Sequence, residues 1–179
     1  MSKGIILYQS KYGATKKYAD WLTEATGFNV IETKKAKVAD LQKYDVIVLG
    51  GGVYASGIAG FHFLKKNIGS LSDKKIAVFA VGASPYDEKA IAQVREMHFK
   101  GELSKVPLFY CRGAWDEDKM NVGDRTLCRM LQKAVAKQNP DEYEPWQMAL
   151  MSAVGQKCDW TDKVYLEPLL KFIEEVLID

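Results

Sequence analysis

The sequence predicts an α/β fold: a doubly wound, five-stranded parallel sheet of order 2-1-3-4-5 with helices on both faces, three layers in all. Short apolar runs alternate with segments of helical spacing along the chain. The second run is the least apolar, as suits an edge strand. Parallel neighbours need a helix-sized crossover that packs back on the sheet, so the alternation itself selects the doubly wound arrangement. In such a sheet a ligand sits beyond the carboxyl ends of the strands where the order reverses, here between the first and third.

Lys3 to Gln9 reads as the first strand, and Gly13 to Ala25 places Tyr18, Trp21, Leu22 and Ala25 at helical spacing. Phe28 to Thr33 is the weaker second strand. After a polar crossover, Asp45-Val-Ile-Val-Leu-Gly50 has the β-branched centre of a fully buried third strand. Phe61, Leu64, Ile68 and Leu71 mark the next helix, and Lys75 to Val81 the fourth strand, closed by Gly82, Ser84 and Pro85. Ile91, Val94 and Met97 suit a helix, Val106 to Cys111 the fifth strand, and Leu127, Met130, Leu131 and Ala134 a fourth helix. Leu166, Leu169, Leu170, Ile173 and Leu177 define the last. Between Asn139 and Trp160 the rhythm breaks: Pro140 and Pro145 stand among acidic residues, then Trp146 to Val154 is apolar. Residues 139–160 therefore read as an insert between the fourth and last helices of a single domain, 1–179, and an insert of that length is functional or loosely ordered.

Composition narrows the function. With 47% hydrophobic and 27% charged residues the chain has the makings of a packed core, which excludes a disordered class. Its net charge of +2 comes from basic residues spread along the chain, so no nucleic-acid surface is expected. Cys111, Cys128 and Cys158 are odd in number and lack CxxC or zinc-like spacing, which argues for idle thiols and no metal site. Val46 to Leu64 has no charged side chain, yet Gly50, Gly51, Gly52, Gly57 and Gly60 make it a strand leading into a loop, and no integral membrane segment is expected. The amino terminus enters a strand pattern at once, without an export signal, so a cytoplasmic location is expected.

Three loops fall at one edge of this sheet. The first strand runs into Ser10-Lys-Tyr-Gly-Ala-Thr15 as a helix begins, and hydroxyls around a tight turn with free amides at a helix start suit a phosphate monoester, a plain helix cap being the alternative. The third strand ends in Gly50-Gly-Gly-Val-Tyr-Ala-Ser-Gly57, where small residues let the main chain approach a flat ring and Tyr54 offers an aromatic face. The fourth strand ends in Val81-Gly-Ala-Ser-Pro-Tyr86. Together they describe a site for a planar cofactor with a phosphate tail. GxxxxGK[ST] is absent, as is GxGxxG after the first strand, which removes the P-loop and dinucleotide readings. A response-regulator receiver would need acidic residues where this chain has Gln9, Ser10 and three glycines.

Ser10-Lys-Tyr-Gly-Ala-Thr15 resembles the phosphate loop of flavodoxin-like proteins, and Gly50-Gly-Gly-Val-Tyr-Ala55 resembles their ring-binding loop. The resemblance covers most of the chain. It implies a flavodoxin-like fold that binds FMN, with phosphate contacts at Ser10, Tyr12, Gly13, Ala14 and Thr15 and ring contacts at Gly52, Val53, Tyr54 and Gly57. Gly82, Ala83 and Ser84 would bound the other edge of the ring. Within the superfamily the chain looks closest to the group that includes the menaquinone-dependent protoporphyrinogen dehydrogenases, through Gly-Val-Tyr-Ala and a long insert entered at Arg112-Gly-Ala-Trp115 and closed at Cys158-Asp-Trp160. Family members often carry a lysine where this chain has Ile58.

The implied function is electron transfer by an FMN-dependent oxidoreductase, with a redox partner protein or a quinone-type acceptor. An electron carrier between proteins is the alternative, weakened by near-neutral charge, since small carriers of this kind are typically strongly acidic. No side chain is assigned a catalytic role, and His62 and His98 fall in helical patterns that favour structural roles. Trp115, Trp146, Met148 and Met151 of the insert either pack on the core or contact a partner, a substrate or a membrane surface.

Overall fold

The computed structural model describes residues 3–54 and 57–178. Its central sheet is built from parallel strands β1 (Gly4–Gln9), β2 (Asn29–Glu32), β3 (Val46–Tyr54), β5 (Lys75–Gly82) and β6 (Leu108–Arg112), in the order β2-β1-β3-β5-β6. Counting only these five parallel strands, the order is 2-1-3-4-5, as the sequence predicts. A short β4 (Gly57–Ile58) turns back antiparallel on the end of β3.

Both faces of the sheet are covered, so its central strands are apolar at every position instead of alternating with polar residues. Ile5, Leu7, Ile47, Leu49, Val78 and Ala80 face one core with Leu64 of α3 (Phe61–Asn67) and Val94 of α4 (Glu88–His98). Ile6, Val46, Val48, Ala77, Phe79 and Cys111 face the other with Tyr18 and Leu22 of α1 (Ala14–Thr26) and Leu169 and Ile173 of the last helix, Glu167–Ile178. A one-turn α2 (Val38–Leu41) adds buried Leu41 to the first core.

The chain leaves the sheet between β6 and the last helix for longer than residues 139–160. Strand β7 (Ala114–Asp116) pairs antiparallel with β8 (Lys157–Asp159), and between them lie α5 (Val122–Val135) and α6 (Pro145–Ser152); the last helix is α7. The predicted fourth helix, α5, therefore belongs to this excursion and does not cover the sheet. Its Leu127, Met130 and Leu131 are exposed, whereas Gln132 and Val135 are buried. Among the described residues no helix is long and apolar enough to cross a membrane.

Candidate functional site

The strand register brings the three small-residue stretches to one edge. Gln9 at the end of β1 pairs with Gly51, Gly52 pairs with Val81, and Gly82 pairs with Arg112. Gly113, just past β6, donates its amide to the Gly82 carbonyl at 2.8 Å, and a Cβ on Gly113 would lie 3.6 Å from that of Ala14, which brings the third loop to the first.

In the first loop, Gly13 has a φ of 103°, and an added Cβ there would meet nothing within 4 Å, so backbone conformation and not crowding demands glycine. Ser10 Oγ accepts the Gly13 amide at 3.1 Å. The first intrahelical bond of α1 runs from the Lys17 amide to the Gly13 carbonyl at 3.0 Å, and among the described residues no side chain caps the helix. The amides of Ala14, Thr15 and Lys16 precede that bond and lie at the positive end of the helix dipole, the donor chemistry a phosphate needs. Thr15 is buried and Ser10 half-buried.

One residue of this loop environment has no signature in the local sequence. Asp124 in the first turn of α5 accepts a hydrogen bond from the Tyr12 hydroxyl and an ion pair from Lys11. The Asn121 amide donates to the same Tyr12 oxygen at 3.3 Å. Lys11 and then Tyr12 hold the Asp124 carboxyl below the usual carboxylate range, and the same contact raises Lys11. Lys11 also stands 5.8 Å from the centre of the Tyr54 ring, which links the first loop to the second. No local sequence pattern pairs Asp124 with residues more than a hundred positions earlier.

The second stretch is more ordered than a loop. Val53 pairs antiparallel with Ile58 and Tyr54 with Gly57; Ala55 and Ser56 lie outside the described residues. Two of its glycines serve the protein's own packing. A Cβ on Gly50 would lie 2.1 Å from the Phe79 ring, and one on Gly51 only 2.0 Å from the Ala59 carbonyl oxygen. Gly52 faces the Tyr54 ring, 2.9 Å from where its Cβ would be. Tyr54 is 44% exposed; burial of the rest raises its hydroxyl pKa against the pull of Lys11. Ile58 is buried in the first core, which explains an apolar residue there.

The third loop is fastened from below. The Tyr110 hydroxyl donates to the Ser84 carbonyl at 2.6 Å and Arg112 Nε to the Ala83 carbonyl at 3.2 Å. Arg112 in turn lies 4.3 Å from the Trp160 ring centre, so the return of the excursion braces this edge. Clefts of about 480 and 470 Å³ open at the other end of the strands, beside Gly4 and Phe28 and beside Ile76 and Phe172, and touch none of the three loops. At the loop edge the Tyr54 ring lies over Gly52 and Lys11 pairs with Asp124. Cys111 is buried and its thiol is pushed up to about 12, which leaves it inert.

Two carboxylates tie the excursion to α1 and its loop. Asp159 accepts from the Thr161 hydroxyl at 2.6 Å and pairs with Lys17 at 2.9 Å, which lowers its pKa to about 2. Asp124 is lowered too. A depressed folded pKa stabilises above the ordinary value of 3.8 and loses that contribution as pH falls through the folded one. The urea midpoint is thus expected to be flat from neutral pH to about 4 and to fall towards pH 2 as these groups protonate. Asp159→Asn together with Asp124→Asn should shrink that acid limb, the remainder belonging to Glu32, Asp73 and Asp118, which lysines also hold low.

Residues 5–142 match the Flavodoxin domain family, well over half of the 179-residue chain. Among solved structures, a flavodoxin, WrbA-like protein from Agrobacterium tumefaciens aligns at 19% identity and TM-score 0.44, over 73% of this chain and 92% of that one. The two-electron reduced flavodoxin of Megasphaera elsdenii aligns at 21% and 0.44, over 60% and 82%. A flavoprotein in complex with FMN from Lactobacillus acidophilus aligns at 18% and 0.41, over 63% and 93%. Curated proteins give no significant match. The family match, the parallel order 2-1-3-4-5 and the three loops at its switch point agree, and the chain belongs to the flavodoxin domain family.

Proposed function

We propose that this chain binds FMN non-covalently at the loop edge and acts as an oxidoreductase that passes electrons through it. The observation that carries the reading is the uncapped start of α1 behind left-handed Gly13, directly after the central strand β1. The donor set fits a phosphate monoester: the amides of Ala14, Thr15 and Lys16 lead, with the hydroxyls of Ser10 and Thr15 around them, while the Tyr12 hydroxyl would join only by turning its proton away from Asp124. Lys11 adds less than a free ammonium would, because Asp124 already pairs with it. Gly52, Val53, Tyr54 and Gly57 would line one edge of the flavin ring and Gly82, Ala83 and Ser84 the other, with the Tyr54 ring moving off Gly52 to cover it.

When bound, the flavin supplies the redox chemistry. The chain's part is to hold the phosphate by fixed dipoles, to cover the ring and to set its surroundings through a loop whose carbonyls Tyr110 and Arg112 immobilise. At the finer level, a quinone-type acceptor and a protoporphyrinogen dehydrogenase-like activity are the proposed reaction, in the cytoplasm, supported by the long excursion between β6 and α7. An oxidation assay with protoporphyrinogen and a soluble quinone tests that level separately.

For the cofactor, FMN and riboflavin binding are compared by quenching of flavin fluorescence. FMN should bind far tighter than riboflavin, since only FMN engages the α1 amides, and Tyr54→Ala should weaken both by about tenfold through lost ring contact. Equal affinity for the two flavins would remove the phosphate assignment, and no retention of either would remove the proposal.

A further inference from the structure

The exposed side of α5 is unusual for a helix of a small domain. Leu127, Met130, Leu131 and Ala134 fall at i, i+3, i+4 and i+7, a single stripe, and the first three are 64%, 64% and 41% exposed. The residues α5 buries flank that stripe on one side: Val135, one turn on from Leu131, and Gln132, whose Nε2 donates to Glu117 Oε1 at 2.8 Å. The one acid of the helix, Asp124, is committed to Tyr12 and Lys11. Lys133 within the helix, with Lys119 before it and Lys137 after it, is exposed and has no ion-pair partner among the described residues. The acids Asp141 and Glu142 come only in the turn beyond.

We propose that this face of α5 docks on an anionic lipid surface, its leucines and methionine entering the headgroup boundary and its lysines meeting lipid phosphates. An apolar stripe bordered by lysines on an otherwise acid-free exposed face is the pattern of a helix lying in the plane of a bilayer interface. At roughly 1.5 Å per residue the helix is about 21 Å long, enough to lie along the surface and too short to cross it. A second copy of the chain is the weaker occupant. A stripe of four side chains offers only a few hundred Å², short of the roughly 800 Å² per partner of a stable protein interface, and lysine is depleted from such interfaces. Because Asp124 joins α5 to the phosphate loop, docking would set the loop edge of the sheet beside the lipid.

The test is cosedimentation of the full chain, without added flavin, with vesicles of phosphatidylcholine alone or mixed equally with phosphatidylglycerol. Since no flavin is present, failure here leaves the cofactor proposal standing. Binding is expected to the mixed vesicles, to weaken with salt, and to be negligible on phosphatidylcholine. The triple variant Leu127→Gln, Met130→Gln, Leu131→Gln should lose about a hundredfold in partitioning, and Lys133→Gln with Lys137→Gln about tenfold, both with an unchanged melting temperature because these side chains are exposed. Absence of wild-type binding, or equal binding by the triple variant, overturns the proposal. So does a wild-type dimer that the triple variant converts to monomer in sedimentation velocity, which would assign the face to a second copy.

Discussion

Gly51→Ala is expected to destabilise the protein by about 3 kcal/mol or more, a large share of the roughly 5–15 kcal/mol that holds a domain together. Gly51 lies in β3, the middle strand of the sheet, paired with Gln9 on one side and Ala80 on the other. Its new Cβ would meet the Ala59 carbonyl oxygen at 2.0 Å and Ile58 Cγ2 at 2.8 Å. Neither can step aside cheaply. Ala59 is held by its own amide, which donates to the Gly52 carbonyl at 2.9 Å, and Ile58 is packed in the first core. The neighbouring glycines set a graded comparison. Gly50→Ala strikes Phe79, a fully buried ring, and should cost nearly as much. Gly52→Ala meets only the half-exposed Tyr54 ring, which can swing away, and should cost less than about 1 kcal/mol. Urea denaturation of the three variants reads the series. A Gly51→Ala midpoint close to wild type would mean that β4 does not fold back over β3.

These glycines also mark where the sequence stops being readable. The runs Ile5–Leu7, Val46–Leu49 and Ile76–Val81 announce buried parallel strands because every position is apolar, and each does feed both cores. The small residues after β3 look alike in sequence, but one faces Phe79, one a backbone carbonyl and one a tyrosine ring, and only three-dimensional neighbours distinguish room for a ligand from room already taken. The stripe on α5 fails for a related reason. Helical spacing identifies a face and not what covers it, so Leu127, Met130 and Leu131 mark the helix without showing that they stay exposed while Gln132 is buried beside Glu117. Asp124 was invisible because its partners, Lys11 and Tyr12, are remote in the chain. The turn proposed to hold the phosphate is legible as a turn because its determinants are local: a glycine that must be left-handed, at the start of a helix, straight after a strand.

Tyr18→Phe is expected to lower stability by about 2–3 kcal/mol, an outsized effect for the loss of one oxygen. The Tyr18 side chain is fully buried in the second core, and its hydroxyl serves two ends of the chain at once. It donates to the Arg112 carbonyl at 2.5 Å, where the excursion leaves β6, and accepts the Asp162 amide at 3.1 Å, where the chain returns towards α7. Burial raises the hydroxyl's pKa well above its usual value, so it stays a neutral donor at any working pH. Phenylalanine fills the same space but leaves a carbonyl and an amide without partners, each costing about 1 kcal/mol or more. The other fastenings, the Trp160 amide on the Gly113 carbonyl at 3.0 Å and Lys17 on Asp159, lie next to that hydroxyl in sequence and should loosen with it. Hydrogen exchange separates the local from the global effect. Faster exchange at Asp162 and across β7–β8, beyond any change in the β1 and β3 amides, would show the excursion to be a unit pinned at its feet through α1. Uniform acceleration throughout would instead mean that the excursion and the sheet unfold together, and that Tyr18 contributes to one cooperative core.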